Sequence, residues 1–303
     1  MTPGASALRA IAEAECARFR QEGAVLLRGI LSLDWVGVVR EGLEEIHEEP
    51  GAMTSRATGG DGLGELIIDQ YSSLRNEKLS SFVKCSPAAA IAGRLLGGSS
   101  SRFVLDQMFY KEAGRILPTP WHQDTPYLRI SGNDLARLWV TCDPSPKQTT
   151  VRVVKGSHLW NVVYRPVTAT SEVRETQAGA GFSYGKSEDY DGRLMPIPDI
   201  DGNPGVFDVL TWDVEPGDIL VFNGNIVHGA GGVEMHPRKR RAFATLWAGD
   251  DVRYLKRPGL TIPDLSEFAG VQIADGALLR EHPEAYPAGW LRAVESDKAA
   301  SAW

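Results

Sequence analysis

Apolar positions recur at helical spacing near the N-terminus and in short runs further along the chain. Four apolar residues between positions 36 and 46 lie three or four residues apart, which predicts a helix over 34–48. Ser32 is its predicted N-cap, and the acidic Asp34 favours the positive end of the helix. A second helix is predicted around 88–96, where Gly97 and Gly98 end it.

Short apolar runs separated by turn residues are typical of the chain from 103 to about 247. Residues 219–222 form one such run between a turn-like cluster and Asn223-Gly224-Asn225, and residues 240–247 form another. A mainly β structure with flanking helices is therefore expected. A sheet that closes over itself fits this pattern, as in a double-stranded β-helix, the cupin-like jelly roll.

The length of 303 residues is compatible with one decorated domain. We expect an N-terminal helical buttress at about 1–100, a jelly-roll core at about 101–250 and a C-terminal tail at 251–303. A helix-like stretch is expected in that tail over 274–281.

His122 and Asp124 flank Gln123 in a predicted strand, and the lone His228 follows about 100 residues later. Side chains two apart on a strand point to the same side, so His122 and Asp124 can bind one metal ion while Gln123 faces away. Two imidazoles and a carboxylate on one face of Fe(II) leave three coordination positions open, as non-haem iron oxygenases require. Glycines 229, 231 and 232 leave room for backbone to approach a ligand closely.

A His-x-Asp triplet alone is weak support, and the other histidines have simpler explanations. His47 ends the first predicted helix, and His236 and His282 each precede a proline, so structural or exposed roles are expected for these three. His158 follows a predicted strand, and we favour a structural hydrogen-bonding role there over a place near the metal site.

A basic run opens the predicted strand at 240–247. An arginine at its mouth could clamp a dicarboxylate through two parallel hydrogen bonds, and Arg240 is the predicted residue. Adjacent strand residues face opposite ways, so only one of Arg240 and Arg241 can enter a pocket, and Arg241 is the alternative. The run 238–241 could also be a solvated loop or a basic patch.

These motifs occur together with several others in a defined order. The set comprises 19–29, Leu95-Leu96-Gly97, Trp121-His122-Gln123-Asp124, Leu138-Trp139-Val140, 153–158, Pro216-Gly217-Asp218, His228-Gly229 and Arg240-Arg241-Ala242. As an ordered set it resembles the phytanoyl-CoA dioxygenase-like branch of the Fe(II)/2-oxoglutarate-dependent oxygenases, over most of the chain. Segment 19–29 looks like the opening strand of that family.

The resemblance implies a jelly roll in which His122, Asp124 and His228 bind Fe(II). It implies that Arg240 binds the C5 carboxylate of 2-oxoglutarate, with Trp139 lining the cosubstrate pocket. O2 is then the second cosubstrate, and succinate and CO2 are released as the substrate is hydroxylated, desaturated or cyclised. Halogenating relatives lack the carboxylate at position 124, so Asp124 argues for hydroxylation.

One departure from the family affects the cosubstrate pocket. Ala230 stands where relatives often have a hydroxyl residue, which leaves Arg240, with Gln107 or Tyr110, to hold 2-oxoglutarate. The residues expected to face the substrate are Phe109, Tyr127, Arg129, Phe182 and Tyr184.

Residues 168–207 form a long segment rich in Gly, Asp, Ser and Pro. Loops of this length are often lids, so we expect the segment to close over the substrate, with Phe182 and Tyr184 as apolar cover. A surface insertion without function is the alternative.

Composition limits the partners. A net charge of −7 opposes a general attraction to nucleic acid. The three scattered cysteines indicate neither a disulfide framework nor a zinc site, which fits a reducing cytoplasm. No apolar run approaches the length of about 18 to 20 residues that spans a bilayer, and no signal peptide is evident. We expect a cytoplasmic monomer or homodimer with a small-molecule substrate.

Three functions remain open from the sequence. A 2-oxoglutarate-dependent hydroxylase is favoured by the intact triad and by Arg240. The alternatives are a metal-dependent jelly-roll enzyme that does not use 2-oxoglutarate, and a catalytically silent jelly-roll binding protein.

Overall fold

The computed structural model describes residues 3–57, 65–116, 118–166, 174–176, 194–236, 238–257 and 263–292. Within these ranges, no side chain is described for 115–116, 174–176 and 233–236. Phe182 and Tyr184 lie outside the described residues, as does most of the 168–207 segment.

Among the described residues, four α-helices lie in the N-terminal third and a short fifth α-helix lies in the tail. The Ser32 hydroxyl accepts a hydrogen bond from the Trp35 amide at 3.3 Å, as predicted for the start of the second helix. Gly97 ends the fourth helix in the left-handed conformation, with φ 78°, also as predicted. The helices are α1 Glu13–Glu22, α2 Leu33–Glu48, α3 Glu77–Cys85, α4 Ala88–Leu96 and α5 Leu265–Ala269.

The rest of the described chain is mainly antiparallel strand. The strands of the N-terminal half are β1 Ala24–Leu27, β2 Thr54–Ala57, β3 Leu66–Gln70, β4 Ser100–Lys111, β5 Gly114–Ile116, β6 Thr119–His122, β7 Ile130–Ser131, β8 Leu135–Thr141 and β9 Val151–Val154. Those that follow are β10 Arg174–Thr176, β11 Val209–Thr211, β12 Ile219–Phe222, β13 His228–Ala230, β14 Val233–His236, β15 Arg240–Ala248, β16 Arg253–Tyr254 and β17 Ala288–Leu291.

Two sheets face each other as a double-stranded β-helix. The larger has nine strands in the order β1-β12-β8-β15-β4-β3-β2-β10, with β17 paired to β4. The smaller has the order β11-β9-β13-β6. Strands from the predicted N-terminal buttress and the tail thus extend the same sheet that forms the core. We call the face of the large sheet that meets the smaller sheet its inner face, and the face covered by helices its outer face.

Each face of the large sheet has its own apolar cluster. On the outer face, Phe82 of α3 packs edge-on against Trp35 of α2 and Phe243 of β15, with ring centroids 5.8 Å apart in both pairs. On the inner face, Trp139, Leu220 and Ala244 pack with residues of the smaller sheet. Successive side chains of a strand point to opposite faces, so the apolar residues of these strands fill both sides of the sheet.

Two predicted elements differ in the structure. Residues 19–22 end helix α1, and Gly23, at φ 80°, turns the chain into strand β1, so the predicted opening strand is only four residues long. The predicted helix-like stretch at 274–281 is reduced to a 3-10 helix over Leu279–Glu281, which follows a turn where Gly276 is left-handed, with φ 82°. The tail helix lies earlier, at α5, where Asp264 forms a capping box with Glu267.

Among the described residues, α2 is the longest helix at 16 residues, and none has the length and apolarity of a bilayer span. The cysteines at 16, 85 and 142 are free thiols.

Candidate metal centre and the adjoining cationic pocket

The three predicted metal ligands meet at one point between the sheets. His122 ends β6, His228 begins β13, and the two are direct cross-strand partners. Ligand atoms of these histidines and of Asp124 all lie within 4.8 Å of one another. Strand pairing therefore joins residues that are far apart in sequence.

Asp124 reaches the cluster by a different route from the one predicted. Strand β6 stops at His122, and Asp124 begins a 3-10 turn over Thr125–Tyr127, with φ −76° and ψ −42°. Its amide donates to the Gly224 carbonyl at 3.1 Å. The predicted extended conformation of Asp124 is therefore wrong, because the strand already ends at His122, Asp124 has helical backbone angles, and a tertiary hydrogen bond positions this residue.

Gln123 faces away from the cluster, as predicted. Its amide nitrogen donates to the Asn225 carbonyl at 2.8 Å and to the Val162 carbonyl at 3.0 Å. Its amide oxygen accepts from the Tyr164 backbone at 2.9 Å. The residue between two ligands thus ties their turn to two neighbouring segments.

Both imidazoles are oriented by backbone carbonyls. His122 Nδ1 lies 2.8 Å from the Pro120 carbonyl oxygen, and His228 Nδ1 lies 3.0 Å from that of Ile226. A carbonyl only accepts, so Nδ1 carries the proton and the lone pair is on Nε2, the atom that binds a metal. Burial, and after it the neighbouring His122, lower the pKa of His228 to about 3, which keeps this imidazole neutral near pH 7.

The Asp124 carboxylate lies between a histidine and an arginine. Its Oδ1 is 3.7 Å from His228 Nε2, and its Oδ2 is 3.7 Å from Arg137 Nε. Burial raises the pKa of Asp124, but the attraction of Arg137 and of the two histidines outweighs it, so the pKa is lowered overall. Oδ2 is buried and has no hydrogen-bond partner among the described residues. A buried carboxylate oxygen beside two imidazoles fits a divalent cation.

Arg137 is a site residue that the sequence analysis missed. Its side chain is 3% exposed and lies on the inner face, opposite Phe222. Nη2 donates to the Gln107 side-chain oxygen, whereas Nη1 is buried without a partner among the described residues. An arginine in the otherwise mostly apolar run of β8 was the available signal, since such a charge is rarely buried without a ligand or a partner.

Three predicted pocket residues share the inner face. Gln107 and Trp139 both lie opposite Ala244, and Phe109 lies opposite Ala242. Trp139 is buried in the inner cluster, and Phe109 is partly buried against it.

The structure does not bring Tyr110 to the inner face. Its hydroxyl lies 3.1 Å from Glu44 of α2, and its ring stacks on His47 with centroids 4.2 Å apart. Tyr110 follows Phe109 in a regular strand, so the two side chains must point to opposite faces. The prediction that Tyr110 binds the cosubstrate is corrected accordingly.

Arg240 and Arg241 also divide between the faces. Arg240 is 5% exposed and donates to the Thr149 carbonyl next to β9 of the smaller sheet. Burial lowers the pKa of Arg240 to about 10, so it stays charged near pH 7. Arg241 binds Asp143 and Glu44 on the outer face. Arg240 is thus the arginine that faces the pocket.

The predicted substrate-facing residues differ in their surroundings. The ring of Tyr127 is buried, with its centroid 6.0 Å from that of His122. Arg129 forms an ion pair with Glu267 of α5, and Asp264 is 4.0 Å away. The tail therefore contacts the segment that follows the first two ligands.

The described end of the 168–207 segment packs behind the ligands. Ile200 is buried against Trp121 and Val154, and Trp121 Nε1 donates to Asp201 at 3.0 Å. Trp121 precedes His122 in the strand and points away from the cluster. This end of the segment is therefore held against the strand that carries His122. The lid prediction for 168–207 depends mainly on residues outside the described ranges, Phe182 and Tyr184 among them.

The glycines after His228 allow close approach of strands. A Cβ on Gly229 would lie 2.7 Å from the Thr119 carbonyl, and one on Gly231 would lie 1.9 Å from that of Gln148. Both contacts are with protein backbone, so the predicted room for a ligand serves instead to bring β13 close to its neighbours. His158, as favoured, has a structural contact, with Nε2 3.1 Å from the Arg20 carbonyl.

Comparisons with known proteins identify a family whose model matches this chain and solved structures that share its fold. The model of the phytanoyl-CoA dioxygenase (PhyH) family matches residues 19–239. A search of curated proteins gives no match. Solved structures with the same fold include the epimerase SnoN in complex with Fe3+, alpha ketoglutarate and nogalamycin RO, at 20% identity and TM-score 0.63 over 92% of this chain and 98% of that one.

Two further structures have the same fold. The non-haem alpha ketoglutarate-dependent carbocyclase SnoK from nogalamycin biosynthesis is 21% identical, with TM-score 0.66 over 94% of this chain and 99% of that one. EctD from S. alaskensis with 2-oxoglutarate and 5-hydroxyectoine is 17% identical, with TM-score 0.57 over 89% and 86%.

Proposed function

Because the chain belongs to the phytanoyl-CoA dioxygenase family, we propose that it is an Fe(II)- and 2-oxoglutarate-dependent oxygenase acting on a small organic substrate. One observation carries the proposal. The three metal-binding side chains and a buried arginine at the mouth of β15 converge on the same interior, between the two sheets. The candidate metal ligands and Arg240 therefore all lie in the region where the two sheets face each other, which supports a metal site and a carboxylate site side by side.

His122, Asp124 and His228 would hold the iron, which when bound supplies O2 activation coupled to decarboxylation of 2-oxoglutarate. The backbone carbonyls of Pro120 and Ile226 keep both imidazoles in the tautomer that binds metal. Arg137 attracts the Asp124 carboxylate from the side away from His228, which fixes its direction.

Arg240 would bind the distal carboxylate of 2-oxoglutarate. A guanidinium offers parallel donors to a carboxylate, and burial strengthens this contact because water is excluded. Trp139 and Phe109 supply apolar walls on the same face. Ala230 has no hydroxyl, so binding of the distal carboxylate would depend mainly on the charge of Arg240.

The reaction we favour is hydroxylation, because Asp124 fills the position that halogenating relatives leave to a halide. Epimerisation or ring closure is the second candidate, since SnoN and SnoK, which share the fold, are an epimerase and a carbocyclase. All of these outcomes begin with removal of a hydrogen from a substrate held in the cavity. Tyr127 and Arg137 are the described residues best placed to contact it.

We place the protein in the cytoplasm as a monomer or homodimer of a single domain. Its three free cysteines support a reducing compartment. Its net charge of −7 supports a small-molecule substrate over nucleic acid.

The test is anaerobic titration of the Fe(II)-loaded protein with 2-oxoglutarate, followed by admission of O2 in the presence of candidate substrates. We expect a charge-transfer absorbance on titration and succinate release after O2 is admitted. Iron binding without any 2-oxoglutarate complex would favour the metal-dependent enzyme that does not use this cosubstrate. Absence of metal binding would favour the silent binding protein.

A further inference from the structure

A second buried cation faces Arg240. Lys111, the last residue of β4, is the direct cross-strand partner of Arg240, the first residue of β15. The two residues are 6% and 5% exposed. Directly opposed side chains in an antiparallel pair lie on the same face, with Cβ atoms about 5 Å apart, and like charges there are destabilising.

The protein supplies this pair with no anion of its own among the described residues. No hydrogen bond or ion pair of the Lys111 ammonium is present there, and its partner on the other flanking strand, β3, is the apolar Leu66. Asp143 attracts Arg240, but its carboxylate already accepts two hydrogen bonds from the Arg241 side chain and one from the Arg241 backbone amide. Burial and, after it, Arg240 lower the pKa of Lys111 to about 7.

Unpaired charges are rarely retained in a protein interior unless something else neutralises them. A carboxylate has about four acceptor positions, enough for a guanidinium and an ammonium together. The distal carboxylate of 2-oxoglutarate is the anion that this pocket would receive under the proposed function.

We propose that Lys111 is a second cationic ligand of the distal carboxylate, acting together with Arg240. The assignment rests on the proposed function and deepens it. Lys111 takes over the contact that Ala230 cannot make without a hydroxyl. In the empty pocket the two cations repel each other, and the bound dicarboxylate removes that repulsion.

The test compares two ligands that differ only at the distal end. 2-Oxoglutarate and 2-oxopentanoate share the keto acid, but the second has a methyl group in place of the distal carboxylate. Their affinities are measured by calorimetry on the Fe(II)-loaded protein under argon. We expect Lys111→Met to weaken 2-oxoglutarate about tenfold or more, as for loss of a charge-assisted hydrogen bond. Affinity for 2-oxopentanoate should stay within about twofold.

Lys239→Met is the matched control. Lys239 is adjacent to Arg240 in sequence but pairs with Glu44 at 2.8 Å on the outer face. The same loss of one positive charge there should leave the preference for 2-oxoglutarate over 2-oxopentanoate unchanged. Lys111→Arg should retain most of that preference.

A second measurement needs neither metal nor cosubstrate. Lys111→Met removes a buried cation that has no counter-ion, so the melting temperature of the metal-free, ligand-free protein should rise. A merely structural lysine would give the opposite sign.

The outcomes separate the two proposals. If the wild-type protein does not bind 2-oxoglutarate, the proposed function fails. If it binds through Arg240, but Lys111→Met keeps the full preference over 2-oxopentanoate, only the role of Lys111 is overturned. An equal loss of affinity for 2-oxoglutarate and 2-oxopentanoate would also overturn the role of Lys111, since such a loss would indicate a general change in the pocket.

Discussion

Arg240 and Arg241 are neighbours in the same strand and identical in chemistry, yet the protein treats them in opposite ways. Arg241, on the outer face, has Asp143 and Glu44 as partners, and the hydrogen bond with Asp143 raises its pKa. Arg240, on the inner face, has one backbone carbonyl as its hydrogen-bond partner, and burial lowers its pKa to about 10. The positive charge of Arg241 is thus balanced by carboxylates of the protein, whereas that of Arg240 can be balanced by an anionic ligand.

The same division occurs one strand away. Tyr110 on the outer face is tied to Glu44 and Lys239, whereas Lys111 on the inner face has no such partner among the described residues. Two further buried atoms without a hydrogen-bond partner among the described residues lie at the metal cluster, one carboxylate oxygen of Asp124 and one nitrogen of Arg137. We infer that the outer face serves stability and the inner face serves binding, so substitutions should separate the two effects.

The largest expected effect lies at the candidate metal centre between the two sheets. His228→Ala should abolish the charge-transfer absorbance of the Fe(II)·2-oxoglutarate complex, because two ligands cannot hold the ion as three do. Asp124→Glu should also abolish activity, since the added methylene displaces the carboxylate. His158→Ala is the control, because that imidazole contacts the Arg20 carbonyl outside the cluster. Undiminished absorbance in His228→Ala would contradict the assignment of His228 as a metal ligand.

Substitutions of the two arginines should affect different properties, the affinity for 2-oxoglutarate at Arg240 and the stability of the fold at Arg241. Arg240→Ala should weaken 2-oxoglutarate binding by about 2 to 5 kcal/mol, roughly 30-fold or more, because a buried charge-assisted pair is lost. Arg241→Ala should leave that affinity nearly unchanged but lower the free energy of unfolding by about 3 kcal/mol, since Asp143 loses its cation while Glu44 keeps only Lys239. Calorimetry and urea unfolding measure the two quantities. A cosubstrate defect in Arg241→Ala alone would reverse our assignment of the faces.

Arg137→Met should weaken metal binding about 10- to 100-fold, the usual range for residues that orient a ligand. The substitution keeps an apolar side chain of similar length but removes the cation near Asp124. Metal affinity of the ligand-free protein is the measurement, and Arg137→Lys should recover part of the loss. Unchanged affinity in Arg137→Met would confine Arg137 to packing or to contact with the substrate.

The smallest expected effect is a pH dependence of cosubstrate affinity. Burial and Arg240 lower the pKa of Lys111 to about 7, and a bound carboxylate favours the charged form. Binding should therefore take up a proton, be strongest below pH 7 and weaken roughly fivefold from pH 7 to 8. Arg240, with a pKa of about 10, stays charged throughout this window. Lys111→Met should remove the dependence, and a persistent slope in that variant would assign it to another group.

Local sequence determined several features of this protein directly. The periodicity and the Ser32 cap predicted α2, Gly97 predicted the end of α4, and the apolar run predicted β12 at its observed bounds. The sequence also predicted His122, Asp124 and His228 as a metal site, and the structure brings their ligand atoms within 4.8 Å of one another.

Tertiary structure decided the directions in which side chains point. Alternation along a strand separates Phe109 from Tyr110, and Arg240 from Arg241, but which face becomes the interior depends on pairing with distant strands. The turn at Asp124, set by a hydrogen bond to Gly224, and the pairing of Lys111 with Arg240 arise from contacts between segments about 100 residues or more apart. Such contacts leave no local pattern, so the sequence determined which chemical groups this protein has, and the closing of one sheet over the other determined which of them lack partners and face a ligand.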